Sequence, residues 1–593
     1  MRFVILVPHR PGSSHTFPAP GPPALGWRVL PSPGAVTIWA RSGADDRLAG
    51  HALCDGRLLG VTARPARTYA DVAATWGAFL SVQAEPGAGS VTVLRDCSGR
   101  IPAYWARAQA LDIVCSHIED LAAYRTEGWD IDWAYLTHML LDESMPAERT
   151  GFAGVQEILP GQEITFSQGE VSRRMVWRPT DVLTGRSPSY PEAVHALRRA
   201  AEMSVDLWTS RYSSLALDLS GGLDSSAMVG LLSEARRRPE LVCLNAVVGH
   251  PESDEREFAR ASAQLHGARL IEISLEHEIA DYERTRSEHL LPRPSTRLLR
   301  IGLGRSALNL ARAADAQGYV TGRGGDQLFF DQVPAASATD YLRETGNLLG
   351  WLRCAYFASR LTGEPLPKVL SRAFDRPSAA QRLSRQMDGS NSLVRLQASE
   401  ASDAMAFLHP WLVQAADQAH PAKFLQISQI IELQRHYDRI GRAADIDEIH
   451  PFISQPMFEA SLRTPTYLFA PSTVRRQLQR EVFADLLPAT VLTRQTKGGT
   501  TSHFVRTMEA NLPYLRGVLL DGEMSRRGVL DRAKLEARLT LPALRSSTSL
   551  MELVRCVIVQ LWLVEAQTFV ERVTGPISPA RQPSPGIPPQ GSR

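Results

Sequence analysis

The chain has 593 residues, too many for a single domain of about 150, and is read as two large domains. Lys and Arg total 65 against 63 Asp and Glu, and a net charge of +2 provides no global field to hold nucleic acid or an anionic membrane. With 44% hydrophobic and 22% charged residues, the composition excludes a mostly disordered or fibrous chain.

The first predicted strand is Phe3–Val7, followed by a proline-rich stretch to about residue 35 that is read as loop, because proline removes ladder donors. The opening apolar run is too short for a signal peptide, and no stretch reaches the roughly 18 consecutive apolar residues of a membrane span, so the expected compartment is the cytoplasm. Short β-branched or aromatic segments then predict strands at Ala35–Ala40, Ser90–Leu94, Ala103–Ala106, Leu111–Ser116 and Gln162–Phe166, separated by Gly, Asp and Ser turns. Helices are predicted near Tyr69–Val82 and Trp133–Leu141. Turn formers crowd Pro179–Pro191, which reads as a linker. Beyond it, helical stretches alternate with short strands, the signature of a parallel sheet with crossover helices. After about Asp340 helices continue with few strands, and six prolines from Pro576 onward mark a disordered tail.

The strongest local signal is Leu215–Leu219, an apolar strand that runs into Ser220-Gly221-Gly222 and then into a helix with Ala227, Met228, Leu231 and Leu232 at helical spacing. Two glycines let backbone amides approach a ligand, the helix N-terminus favours phosphate, and Ser220 and Ser225 add hydroxyl donors. Asp224 would repel a phosphate unless a cation lay between them, and Mg²⁺ is the natural choice. The alternative is an ordinary strand-to-helix turn capped by Asp224 and Ser225. The loop lacks the GK[ST] ending and is not GxGxxG, so those nucleotide-binding classes drop out.

Two further strands, Leu241–Val248 and Ala268–Ile273, flank a helix over Asp254–His266 opened by Ser253 and closed near Gly267. Another, Gly318–Thr321, ends in Gly322-Arg323-Gly324-Gly325-Asp326. Open α/β sheets bind ligands at strand C-terminal ends, so Asp224 and Asp326 are expected to converge on one metal, although GxGGD alone equally describes a flexible turn. The six cysteines are scattered without a CxxC pair, which indicates neither a disulfide framework nor a zinc site. Only four basic residues are lysines, Lys368, Lys423, Lys497 and Lys534, so any lysine in a catalytic-looking context stands out.

Together these residues resemble the asparagine synthetase-like ATP pyrophosphatases, which include asparagine synthetase, β-lactam synthetase and the lasso peptide cyclases. Ser220–Ser226 resembles their pyrophosphate loop, Asp254–Ala259 the acidic start of the next helix, and Thr321–Phe329 the second acidic loop. Asp438–Ser454 with Pro451-Phe452 looks like the segment carrying a Pro-Phe-Leu-Asp sequence, and Arg494–Gly498 like the loop with the catalytic lysine. Arg95–Gly99 with Pro102 and Tyr104, and Ile158–Gly161, are similar to landmarks of the amino-terminal glutaminase domain. The resemblance implies a two-domain α+β and α/β fold. On this resemblance residues 1–178 are expected to form a glutaminase-like, Ntn-type β-rich sandwich, 179–195 a linker, 196–573 a parallel-sheet ATP-pyrophosphatase domain with added helices, and 574–593 the tail.

A working glutaminase of this family has a cysteine directly after the initiator Met, whereas here Arg2 follows Met1 and the nearest cysteine is Cys54. The expectation is therefore that ammonia is not made and that the amine belongs to the substrate. β-Lactam synthetases also lack that cysteine but place a tyrosine in the second acidic loop, where this chain has Arg323. The opening MRFVILVPHRP looks like lasso peptide cyclases. The resemblance implies ATP and Mg²⁺ as cofactors, with Asp224 and Asp326 holding the metal, Ser220, Gly221, Gly222, Asp224 and Ser225 the nucleotide, and Lys497 stabilising the oxyanion. Asp447, counted back from Pro451, matches a glutamate that helps deprotonate the amine, and is equally explained as a surface charge or an Arg442 partner. Arg323 either binds a peptide carboxylate or carbonyl bidentately or makes a structural ion pair. The implied partners are a precursor or core peptide, a leader peptidase and a leader-recognition protein. A β-lactam-type or other small-molecule amide synthetase is the alternative.

Overall fold

The computed structural model describes residues 2–9, 17–20, 27–30, 36–41, 48–49, 52–54, 76–85, 90–125, 128–141, 147–247, 254–274, 278–284, 287, 289–387, 391–395, 407–437, 446–495, 498, 501–545 and 550–574. The N-terminal half contains two antiparallel sheets of six strands each. β1 (Arg2–Pro8) is central in the first sheet, between strands Thr37–Arg41 and Leu111–Cys115. Phe3, Ile5 and Val7 share a core with Leu80, Val82, Val93, Ile164 and Phe166 of the second sheet, so the two sheets pack face to face. Val4 and Leu6 point the other way, into a second core. Burial on both faces explains why RFVILVP is a continuous apolar run instead of an alternating one.

That second core receives the C-terminal helix, α8 (Leu550–Thr574), through Trp562 and Phe569. By length and composition this helix could cross a membrane, although it holds no run of 18 consecutive apolar residues, and 67% of its most apolar window is buried inside the protein. Trp562 is fully buried and donates from Nε1 to the Leu291 carbonyl at 2.8 Å. A Cβ added at Gly151 would overlap its ring. Gly151→Ala is expected to cost about 1–3 kcal/mol through overpacking, read as a lower urea midpoint; an unchanged midpoint would contradict this packing.

Three sequence expectations need correction or restriction. The helix expected near Tyr69–Val82 is a strand from Phe79 to Glu85, because Gly77 with φ 141° breaks any helix and Leu80-Ser81-Val82-Gln83 alternates inward and outward; 69–75 lie outside the described residues. The linker is shorter than 179–195, since α2 (Tyr190–Thr209) starts within it on a Ser189/Glu192 capping box, with Pro191 in the first turn. The tail from 575 lies outside the described residues, as does Ser253.

The C-terminal half is built on a five-stranded sheet, all parallel, in the order β15 (Arg269–Ser274), β14 (Glu240–Val247), β13 (Ser214–Asp218), β16 (Gly318–Thr321), β17 (Asp447–Ile449). The chain leaves β13 toward β14 and later returns on its other side at β16. The topological switch point, where such sheets form a crevice, therefore lies between the C-terminal ends of β13 and β16. Buried charge ties the two halves together: Glu157 of the N-terminal half accepts from Arg95 at 2.7 Å and from Arg293 of the C-terminal half. Its burial opposes ionisation, but Arg293 and Arg95 hold its carboxyl below the usual range.

Candidate active site

The phosphate loop leaves the sheet at Leu219, whose carbonyl accepts from Asn245 Nδ2 at 2.7 Å. Gly221 has φ 88°, and a Cβ there would lie 2.8 Å from the Glu255 carbonyl oxygen, so only glycine is accommodated. Ser220 Oγ lies 3.1 Å from Ser225 Oγ and accepts from the Gly222 amide at 3.3 Å. From Leu223 the helix α3 (Leu223–Ser233) presents its unpaired amides and positive dipole end at the switch point.

The second acidic loop sits against the first. A Cβ on Gly325 would overlap the Asp224 carboxylate, so the glycine in GRGGD is what lets Asp326 approach Asp224. One guanidinium joins the two acids: Arg476 donates from Nη1 to Asp326 Oδ1 at 2.8 Å and from Nη2 to Asp224 Oδ1, which also accepts from Gln479 Nε2 at 2.7 Å. Burial raises the Asp224 pKa, with Asp326 adding to the rise and Arg476 opposing it. Two carboxylates beside a helix N-terminus are oxygen donors of the kind Mg²⁺ uses, so these residues fit the implied metal. Among the described residues no cluster of three or more His, Cys, Asp or Glu side chains could hold an ion alone.

Arg323, in the same loop, donates to Glu448 at 3.2 Å, and Glu448 accepts from Arg297 at 2.8 Å. Burial would raise the Glu448 pKa, but the two guanidinium groups hold it well below the usual carboxylate range. His450 lies just past the end of β17, its Nδ1 2.8 Å from Thr321 Oγ1, and burial pushes its pKa down to about 3, leaving the ring neutral.

Asp447 is not brought to the acid pair. It pairs in register with Gly318 at the far end of β16, is 47% exposed, accepts from Tyr212 Oη at 2.8 Å and lies 3.8 Å from Arg100. A one-residue offset in a strand moves a side chain to the opposite face, so the acid that meets Arg323 is the adjacent Glu448. Lys497 lies outside the described residues. Of its neighbours in the chain, the Gly498 amide donates to Glu255 at 2.9 Å and Arg494 pairs with Glu255 at 2.6 Å, and Arg494 stacks 4.0 Å over Phe258. Glu255 is the residue whose carbonyl faces Gly221, so these contacts adjoin the phosphate loop.

Residues 196–564, more than half of the chain, match the family described as asparagine synthase. The chain belongs to the asparagine synthase family. Among its relatives is amidase chyE of Penicillium rubens, 26% identical over 275 residues, covering 43% of this chain and 39% of that protein. An argininosuccinate synthase of Haloquadratum walsbyi is 32% identical over 126 residues, 20% of this chain and 32% of that protein. This asparagine synthase family chain thus spans well under half the length of the curated relatives it matches. Similar solved structures include the U34-tRNA thiolase NcsA of Methanococcus maripaludis, at 13% identity and TM-score 0.20, covering 42% of this chain and 82% of that one. Another is the glutamine-dependent NAD⁺ synthetase of Acinetobacter baumannii, at 12% identity and TM-score 0.18, covering 34% and 43% respectively.

Proposed function

We propose that the chain is an ATP-dependent carbon–nitrogen ligase that activates a carboxylate as its acyl-adenylate, releases pyrophosphate and closes an amide bond with an amine of the same substrate. The observation that carries this reading is the convergence of the Ser220–Gly222 amides, Asp224 and Asp326 at the switch point of a parallel sheet. The Ser220–Gly222 loop and the α3 terminus hold the pyrophosphate portion of ATP. Mg²⁺ held by Asp224 and Asp326 offsets phosphate charge. Arg323, fixed by Glu448, orients the substrate carboxylate, and Lys497 stabilises the oxyanion formed as the amine attacks.

Within this class we read the substrate as a leaderless peptide whose Asp or Glu side chain is joined to its own N-terminal amine, the lasso peptide cyclase reaction. Arg323 in place of a tyrosine and the likeness of the opening segment favour this over a β-lactam-type synthetase. The partners are then the precursor peptide, its leader peptidase and a leader-recognition protein. The test is incubation with ATP, Mg²⁺ and candidate peptides while pyrophosphate is followed; turnover with free aspartate and ammonia but not with peptide would overturn the peptide reading.

We read the amine as the substrate's own, and among the described side chains of the N-terminal half neither Cys97 nor Cys115 offers a reactive thiol. Both are buried, and burial pushes their thiols well above the ordinary range. Arg2, at the start of β1, is bound bidentately by Asp120 at 2.7 and 2.6 Å. Glutamine is therefore expected neither to be hydrolysed nor to support amide formation. Glutamate release, measured with and without enzyme, checks this, and enzyme-dependent release would contradict it.

A further inference from the structure

Arg476 has no role in the sequence reading, yet it is the residue that joins Asp224 to Asp326. Its single guanidinium spans the two loops, with one nitrogen on each carboxylate, and its side chain is only 6% exposed. The backbone at Arg476 is left-handed, with φ 55°, a conformation that a non-glycine residue keeps only when its surroundings impose it. Its Nε is buried without a hydrogen-bond partner among the described residues, so the contacts to the acids leave part of the group unsatisfied. Beside it lies a cavity of about 300 Å³, whose lining includes Asp331, Val333, Pro334, Phe469, Arg475 and Arg476 itself.

Two carboxylates that share one guanidinium, Asp224 largely buried and Asp326 41% exposed, repel each other unless a cation lies between them. Arg476 supplies that charge. A divalent ion bound by the same two oxygens must then displace the guanidinium from at least one of them, at the expense of a charge-assisted hydrogen bond. Phosphate oxygens change the balance, since they complete the ion's coordination and give the displaced guanidinium a new anion to bind. The adjoining cavity provides room for the side chain to turn.

We propose that Arg476 is an exchangeable counter-charge: it holds Asp224 and Asp326 together and keeps a divalent cation out until nucleotide phosphate arrives with the ion, then transfers its hydrogen bonds to the phosphates. This rests on the ATP-ligase reading above and adds an order to it, in which metal enters with nucleotide and not before.

The experiment measures Mn²⁺ binding to the full chain by electron paramagnetic resonance, first without nucleotide and then with a nonhydrolysable ATP analogue. Without nucleotide, Arg476→Gln is expected to bind Mn²⁺ about tenfold to a hundredfold more tightly than the wild type, because one or two charge-assisted hydrogen bonds no longer compete. With the analogue this advantage should vanish or reverse. Arg476→Lys keeps a positive charge for folding but cannot fork across two carboxylates, so it should also gain affinity, by less. Nucleotide-free binding by Arg476→Gln and Arg476→Lys no tighter than by the wild type would overturn the proposal while leaving the ligase reading intact. If the wild type fails to take up Mn²⁺ even with the analogue, the metal assignment within the ligase reading falls, and this inference with it.

Discussion

Replacing Asp224 or Asp326 by Asn is expected to reduce peptide-dependent pyrophosphate release by about a thousandfold or more, the rate equivalent of the several kcal/mol that a metal bound to phosphate oxygens contributes. Asn keeps the shape of each side chain and one acceptor oxygen, so the loops should still pack, with Gly325 against residue 224 and Arg476 between them. What is lost is the negative charge that holds a divalent cation. Initial rates of pyrophosphate formation, with circular dichroism as the folding control, check this. A folded variant that retains wild-type turnover would remove the pair from any metal site.

Lys497→Ala is expected to cost about 10²- to 10³-fold in rate, the usual loss when one preorganised donor to an oxyanion is removed from a water-poor site. Lys497→Arg should recover little, because a planar fork does not occupy the position of a compact ammonium. Arg494 and Gly498, on either side of Lys497 in the chain, both donate to Glu255, whose carbonyl faces Gly221. Single-turnover rates of product formation are the measurement. An Arg variant as active as the wild type would reduce Lys497 to a source of general positive potential.

What could be read from the sequence was whatever one segment encodes by itself. The strand, glycine turn and helix around Ser220-Gly221-Gly222 were legible because strand, turn and helix terminus are contiguous in the chain. Gly318–Thr321 and the acid that follows it were legible for the same reason. β1 was visible as a strand, but its burial on both faces depends on the second sheet and on Trp562, more than five hundred residues away. Arg476 and Glu448 were missed because their importance comes from what they meet. Arg476 sits in VRRQLQR, where nothing distinguishes it from its neighbours, and it acquires meaning only 2.8 Å from Asp326. Counting back from Pro451 selected Asp447 over Glu448, and only the strand register, which fixes the face each residue occupies, separates the two. The capping box at Ser189 and Glu192 was readable and would have started α2 inside the proposed linker.

The central claim is that the chain closes an amide within one substrate at the expense of ATP. It is tested most directly by incubating the purified protein with ATP, Mg²⁺ and a leaderless core peptide, and following AMP, pyrophosphate and peptide mass together. The account predicts AMP and pyrophosphate in equal amounts only when peptide is present, and a product lighter than the linear peptide by one water with its N-terminal amine blocked. Formation of AMP and pyrophosphate with free aspartate and ammonia, with the peptide left unchanged in mass, would contradict it.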